Sequence, residues 1–170
     1  STDAMQDKLS KARQKEVRGW VVEPAADGKM IATYYGLKDG APYGVFAAEV
    51  VQGKVATTRE IAADGSALSP LQRSMIKARQ SVGSSKIETC GAPFNTVVIP
   101  PASDTAPVQV YLLTPQVKTG VFPAGKHFKI TANPDGTFAA RPFTNSCLNI
   151  GAPPLKAGEK PVGMFLTHVL

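Results

Sequence analysis

Residues 127–143 have the sequence HFKITANPDGTFAARPF, which predicts a β-hairpin closed by Asn133-Pro134-Asp135-Gly136. Asn is favoured at the first position of a turn, Pro presets φ for the second, Asp tolerates the third, and Gly accepts a left-handed fourth. This spacing fits a three-residue loop, in which a type I turn is followed by a glycine bulge. The stretch therefore predicts two antiparallel strands joined in a defined register.

The hydrophobic pattern supports a single register for this hairpin. If Asn133 faces Gly136 or Thr137 across the turn, one face of the hairpin is apolar and suits the core, while the other face is mixed. The apolar face holds Phe128, Ile130, Ala132, Phe138, Ala140 and Pro142, and the other holds His127, Lys129, Thr131, Ala139, Arg141 and Phe143. A slip of one residue would scatter the phenylalanines over both faces.

The mixed face is our candidate binding site. The register places Lys129 roughly opposite Arg141, and two like charges in that position are mildly unfavourable unless solvent or an anion compensates them. We therefore predict an anion-recognition patch formed by His127, Lys129, Arg141 and Phe143. The competing interpretation is a solvated face whose charges only keep the sheet soluble.

A four-stranded meander is predicted in the first third of the chain. Turn signals at Asp27-Gly28, Lys38-Asp39-Gly40 and Gln52-Gly53 separate segments rich in β-formers, at residues 19–22, 29–37, 42–51 and 54–61. Both parities of these strands carry apolar residues, which predicts that parts of the sheet are covered on both faces.

Two helices are predicted to pack on the sheet. Residues 4–18 lack Gly and Pro and have apolar residues at near-helical spacing. A second helix, at about 70–82, begins with Ser69 as N-cap, Pro70 at the first helical position and Gln72 at the capping-box position. With further strands at 94–99 and 108–113 and a buried central strand at 162–170, the prediction is one α+β domain over residues 1–170. Its sheet is mostly antiparallel, a meander plus a hairpin, with about eight strands.

The two cysteines, Cys90 and Cys147, are predicted to form a disulfide bond. Closing such a long loop stabilises a protein by roughly 4 kcal/mol in the chain-entropy model. Disulfides persist in oxidising compartments, so this interpretation places the protein in the periplasm or outside the cell. The chain begins at Ser1 without an initiator methionine, so this start is either processed or engineered, and a removed signal peptide would agree with such a location.

The sequence leaves three other interpretations of the cysteines open. One cysteine thiolate could act as a nucleophile with His127 or His168 as its base, although no protease signature surrounds either cysteine. The two cysteines and two histidines could hold zinc, although close-spaced ligand pairs are missing. Both cysteines could also be buried thiols that behave as small apolar residues.

Composition limits the function without selecting one. The chain has 170 residues, a net charge of +6 and 43% hydrophobic residues, which is ordinary globular composition and favours anionic partners. Its apolar runs are far shorter than the ~20 residues that span a bilayer, and no motif predicts a cofactor, a metal or a reaction.

We expect a periplasmic or secreted, non-enzymatic binding, accessory or inhibitor module whose partner is an anionic polymer or another protein. The first alternative is a small hydrolase or transferase that uses a cysteine thiolate with histidine. The second is a cytoplasmic nucleic-acid-binding protein, ranked last because the basic residues show no aromatic interleaving on a common platform.

Overall fold

The computed structural model describes residues 2–62, 68–151 and 158. They form an α+β fold with three antiparallel sheets, and the elements follow one another along the chain as follows. Two short helices, α1 (Thr2–Lys8) and α2 (Lys11–Gln14), precede strands β1 (Gly19–Pro24), β2 (Met30–Lys38), β3 (Ala41–Val51) and β4 (Lys54–Glu60). Helix α3 (Pro70–Gly83) is followed by β5 (Asn95–Ile99), β6 (Val108–Leu113), β7 (Val121–Pro123), β8 (Phe128–Ala132), β9 (Phe138–Pro142) and β10 (Asn149–Gly151).

Sheet A is the predicted meander, with strand order β1-β2-β3-β4. It is covered on both faces, as predicted. Val21 and Tyr35 belong to one hydrophobic core together with α3, and Tyr34 and Phe46 belong to a second core with Met5 of α1.

Helix α3 lies between sheet A and sheet B, whose strand order is β5-β6-β8-β9. The fully buried Met75 and Ile76 of the helix pack in the same core as Val110 and Ile130 of sheet B. The predicted start of the helix is confirmed, because the Ser69 hydroxyl accepts a hydrogen bond from the Gln72 N–H and the Gln72 side chain accepts one from the Ser69 N–H. The buried Gln72 amide also donates to Thr33 Oγ1 at 3.0 Å, which joins the helix to sheet A.

The N-terminal helix predicted at 4–18 is wrong in its extent. It is interrupted after α1, and Ser10 caps a new, one-turn helix by accepting a hydrogen bond from the Arg13 N–H at 3.3 Å. Serine competes with the helical backbone for such bonds. Arg13 then reaches the end of β4, where it donates to Glu60 and to the Ile61 carbonyl.

The predicted α+β fold with antiparallel strands is confirmed, and its strands are divided among three sheets. The described residues form ten strands in three sheets, because Pro- and Gly-rich segments in the second half of the chain contribute the short strands β7 and β10, which pair with each other in a separate sheet. Residues 162–170, predicted as a central strand, lie outside the described residues, as does His168. Among the described residues, no helix combines the length and hydrophobicity needed to cross a lipid bilayer.

Candidate functional site

The hairpin turn has the predicted geometry. The Gly136 N–H donates to the Asn133 carbonyl at 3.0 Å, the Asn133 N–H donates to the Thr137 carbonyl at 2.8 Å, and Gly136 has φ of 94°. The Asp135 carboxylate accepts bonds from the Thr137 hydroxyl and N–H at 2.7 and 2.8 Å. These bonds stabilise the ionised carboxylate and hold the pKa of Asp135 below its usual value.

The predicted register of the hairpin is confirmed. The pairs are Phe128 with Pro142, Lys129 with Arg141, Ile130 with Ala140, Thr131 with Ala139, and Ala132 with Phe138. The Phe143 N–H donates to the His127 carbonyl at 2.8 Å and extends the ladder by one pair. Lys129 and Arg141 therefore stand directly opposite each other on adjacent strands.

The assignment of the whole apolar face to the core is only half right. Ile130 and Ala132 on β8 are buried, whereas Phe138 on β9 is 37% exposed and Ala140 and Pro142 are exposed as well. Helix α3 contacts β5, β6 and β8, so the inner side of sheet B is covered as far as β8, and β9 extends past the covered region as an edge strand.

Strand register builds a continuous row across the outer side of sheet B. Val97 pairs with Tyr111, Tyr111 with Lys129, and Lys129 with Arg141. Phe143 stacks on Tyr111, with 14° between the ring planes and 6.4 Å between the centroids. We call this surface, made of Val97, Tyr111, Lys129, Arg141 and Phe143, the basic face.

The basic face has no acidic counterpart in the part of the chain that the structure describes. None of the four strands of sheet B contains an Asp or Glu residue, and within the described part of the chain neither Lys129 nor Arg141 has an ion-pair partner. Val97 is 42% exposed and Phe143 is 45% exposed. The basic face thus combines two cations with apolar and aromatic surface that reaches solvent.

His127 occupies a structural position beside the basic face. Its Nδ1 accepts a hydrogen bond from the Thr114 N–H at 3.0 Å, and its Nε2 lies 3.2 Å from the Pro123 carbonyl, to which the neutral ring donates. Both ring nitrogens are therefore used by backbone groups. We leave His127 out of the basic face, although the sequence placed it in the anion patch.

Cys90 and Cys147 form the predicted disulfide bond, with 5.7 Å between their Cα atoms. Both sulfurs are thereby removed from the thiolate, zinc and buried-thiol interpretations. The same region is closed by an ion pair between Lys126 and Glu88, at 2.9 Å, which lowers the pKa of the exposed Glu88 carboxyl through a hydrogen bond from Lys126.

Gly125 lies where the backbone of residues 146 and 148 leaves no room for a side chain. A Cβ atom at this position would lie 2.2 Å from the Ser146 carbonyl oxygen. The carbonyls of Gly125 and Lys126 both accept bonds from the buried Thr114 hydroxyl, at 2.9 and 3.0 Å. The segment that leads into β8 is therefore fixed from two sides.

Sequence reasoning missed Tyr111 and Val97. The alternation of Val108, Val110 and Leu112 on β6 indicates that Tyr111 points away from the core. What it does not indicate is which strand lies beside β6, because that pairing joins segments well separated along the chain.

Comparison with known proteins gives no match for this chain, whether with family models, with curated proteins or with solved structures.

Proposed function

We propose that the protein is a non-enzymatic binding module of the periplasm or the extracellular space, and that its basic face binds an anionic partner. The observation that supports this proposal is the direct pairing of Lys129 with Arg141 on a sheet that has no carboxylate on its strands. Such a pair repels itself mildly in the free protein, and a bound anion relieves the repulsion.

The chemistry of the two cations suits anion recognition. Arg presents a planar fork of donors to a carboxylate, sulfate or phosphate group, and Lys adds a compact charge beside it. Charge-assisted hydrogen bonds of this kind are stronger than those between neutral groups. The neighbouring Val97, Tyr111 and Phe143 add apolar contact area, which favours a partner that carries more than charge.

The Cys90–Cys147 disulfide supports the proposed location, because such bonds persist in oxidising compartments. It also argues against the hydrolase or transferase alternative, whose nucleophile was a cysteine thiolate.

Single-stranded nucleic acid is the second candidate partner. It is favoured by the Tyr111–Phe143 stack beside Lys129, since stacking aromatics combined with basic groups bind such strands.

A charge-reversal experiment tests the proposal. Fluorescence anisotropy would measure the affinity of the protein for three labelled probes: poly-L-glutamate, heparin and a single-stranded oligothymidylate. We expect the K129E/R141E variant to bind at least one probe about tenfold or more weakly than the wild type. That binding should weaken as salt is added, because the charges lie at the surface.

The matched control is K38E/K54E, which reverses two exposed lysines at the hairpin ends of sheet A. Both variants lower the net charge from +6 to +2, by two changes of −2 each. The control should bind nearly as the wild type does. Equal binding by all three proteins, or equal weakening in both variants, would show that the basic face is not a site.

A further inference from the structure

Within residues 2–62, 68–151 and 158, no strand pairs with the outer backbone edge of β9. The pairs Asn133/Thr137 and His127/Phe143 are hydrogen-bonded, and bonded and non-bonded pairs alternate along an antiparallel ladder. The backbone groups of Ala139 and Arg141 therefore point toward β8, whereas those of Phe138, Ala140 and Pro142 point away from it. Among the described residues, β9 pairs with β8 alone and stands at the end of sheet B.

Two N–H groups and three carbonyls on this edge point away from β8. Phe138 and Ala140 contribute one donor and one acceptor each, and Pro142 contributes only a carbonyl because it has no N–H. Proline commonly limits pairing at sheet edges. The ladder that a partner could form is therefore centred on residues 138–140.

The side chains of β9 define the chemistry of a complementary strand. On the inner side, Phe138, Ala140 and Pro142 are exposed apolar residues that lie beyond the core. On the outer side, Arg141 stands at the end of the basic face. Residues paired across a ladder share a face of the sheet, so a complementary strand needs apolar side chains on one face and acidic side chains on the other.

We propose, on the basis of the function proposed above, that the anionic partner is a protein segment that adds to β9 as an antiparallel fifth strand of sheet B. Acidic residues at alternate positions of this segment lie beside Arg141 on the basic face. Apolar residues at the intervening positions cover Phe138 and Ala140 on the inner side. Backbone hydrogen bonds supply part of the affinity and the alternate side chains supply the specificity, as in other cases of strand addition.

A second copy of this chain is a poorer occupant of the edge. Pairing two β9 strands would bring two basic faces, each with Lys129 and Arg141 and without a carboxylate, into one continuous sheet surface. Like charges on neighbouring strands are unfavourable. The charge of the edge thus favours an acidic partner over self-association.

Peptide probes separate strand addition from simple charge attraction. The probe is a fluorescein-labelled nine-residue peptide of alternating Glu and Val, and the reference is poly-L-glutamate. In antiparallel pairing the Val residues share the inner face with Phe138 and Ala140, so their amides point at β9 and the Glu amides point to solvent.

N-methylation of the Val amides should weaken binding about tenfold or more, because it removes donors that bond to β9. N-methylation of the Glu amides should leave the affinity within about twofold.

Two variants at one position provide the matched test in the protein. Ala140→Pro removes the outward N–H of β9 without touching a bond to β8, and the extended conformation of Ala139 accepts a following proline. Ala140→Val keeps the N–H. We expect Ala140→Pro to bind the Glu/Val peptide about tenfold more weakly than Ala140→Val, with circular dichroism showing the same fold for both.

The outcomes distinguish this inference from the proposed function. If neither N-methylated peptide loses affinity, or only the Glu-methylated one does, antiparallel strand addition is wrong. Strand addition is also wrong if Ala140→Pro binds the peptide as tightly as Ala140→Val does. It is wrong as well if light scattering shows wild-type dimers that the peptide cannot dissociate. In each of these cases a loss of poly-L-glutamate binding in K129E/R141E would still support anion recognition by the basic face.

Discussion

His127 connects two backbone segments through its ring: the imidazole accepts a hydrogen bond from the Thr114 N–H at 3.0 Å and donates to the Pro123 carbonyl at 3.2 Å. Thr114 directly follows β6, and Pro123 ends β7. The side chain thus joins sheet B to the small sheet β7-β10. The bond from Thr114 requires an unprotonated Nδ1, so it needs the neutral form of the ring.

Replacing His127 by Phe should lower the free energy of unfolding and leave the affinity for anions nearly unchanged. The substitution leaves the buried Thr114 N–H without an acceptor, and an unsatisfied buried donor costs about 1–3 kcal/mol. Urea unfolding would measure the loss in the free energy of unfolding. Binding of poly-L-glutamate to the folded variant should stay within about twofold of the wild type. A large loss of binding at unchanged stability would return His127 to the binding site.

Removing the disulfide bond should destabilise the protein substantially. In the double variant Cys90→Ser/Cys147→Ser we expect the free energy of unfolding to fall by about 2–4 kcal/mol, because the unfolded chain is no longer closed into a loop. For a domain of this size the melting temperature should fall by roughly 10 °C. Calorimetry of the reduced wild type should give the same shift, whereas a melting temperature that reduction does not move would contradict the prediction.

Gly125 should tolerate no larger residue. In Gly125→Ala the new Cβ would meet the Ser146 carbonyl oxygen at 2.2 Å, and backbone atoms cannot rotate away as a side chain can. We expect a loss of about 3 kcal/mol in urea unfolding, at the upper end for overpacked sites. Gly83→Ala is the matched control, because nothing lies within 4 Å of its Cβ, and its stability should change little. Equal stabilities of the two variants would disprove the close contact.

The turn of the hairpin should respond to acid. The Thr137 hydroxyl and N–H lower the pKa of the Asp135 carboxyl from its ordinary 3.8. Because the folded pKa lies below the unfolded one, the stabilisation is fully present above about pH 3.8 and is lost as the pH falls through the folded value. The amide proton resonance of Thr137 should therefore shift on acidification with a midpoint below that of an unstructured Asp. In Asp135→Asn this resonance should be independent of pH over the same range.

The hairpin was predictable because its information is local. Asn133, Pro134, Asp135 and Gly136 specify the turn, and the turn sets the register that pairs Lys129 with Arg141. The start of α3 was predictable for the same reason, since Ser69 and Gln72 bond to each other within one turn of helix.

The features that could not be predicted from the sequence depend on contacts between distant segments of the chain. Tyr111 joins the basic face only because β6 pairs with β8, and β9 is exposed only because α3 covers the sheet no further than β8. His127 was assigned to the wrong task for a related reason. Its hydrogen-bond partners, the Thr114 N–H and the Pro123 carbonyl, are brought to it by the fold, and no sequence pattern around residue 127 predicts them.

The disulfide bond has a mechanical consequence. Every strand of sheet B lies between Cys90 and Cys147, so tension applied to the two ends of the chain passes through the sulfur–sulfur bond and bypasses the sheet. The 57 positions between the cysteines correspond to a hidden contour length of roughly 190 Å. Under a stretching force the N-terminal meander bears load, whereas the basic face and the edge of β9 lie in the segment between the cysteines, which the disulfide bond bypasses.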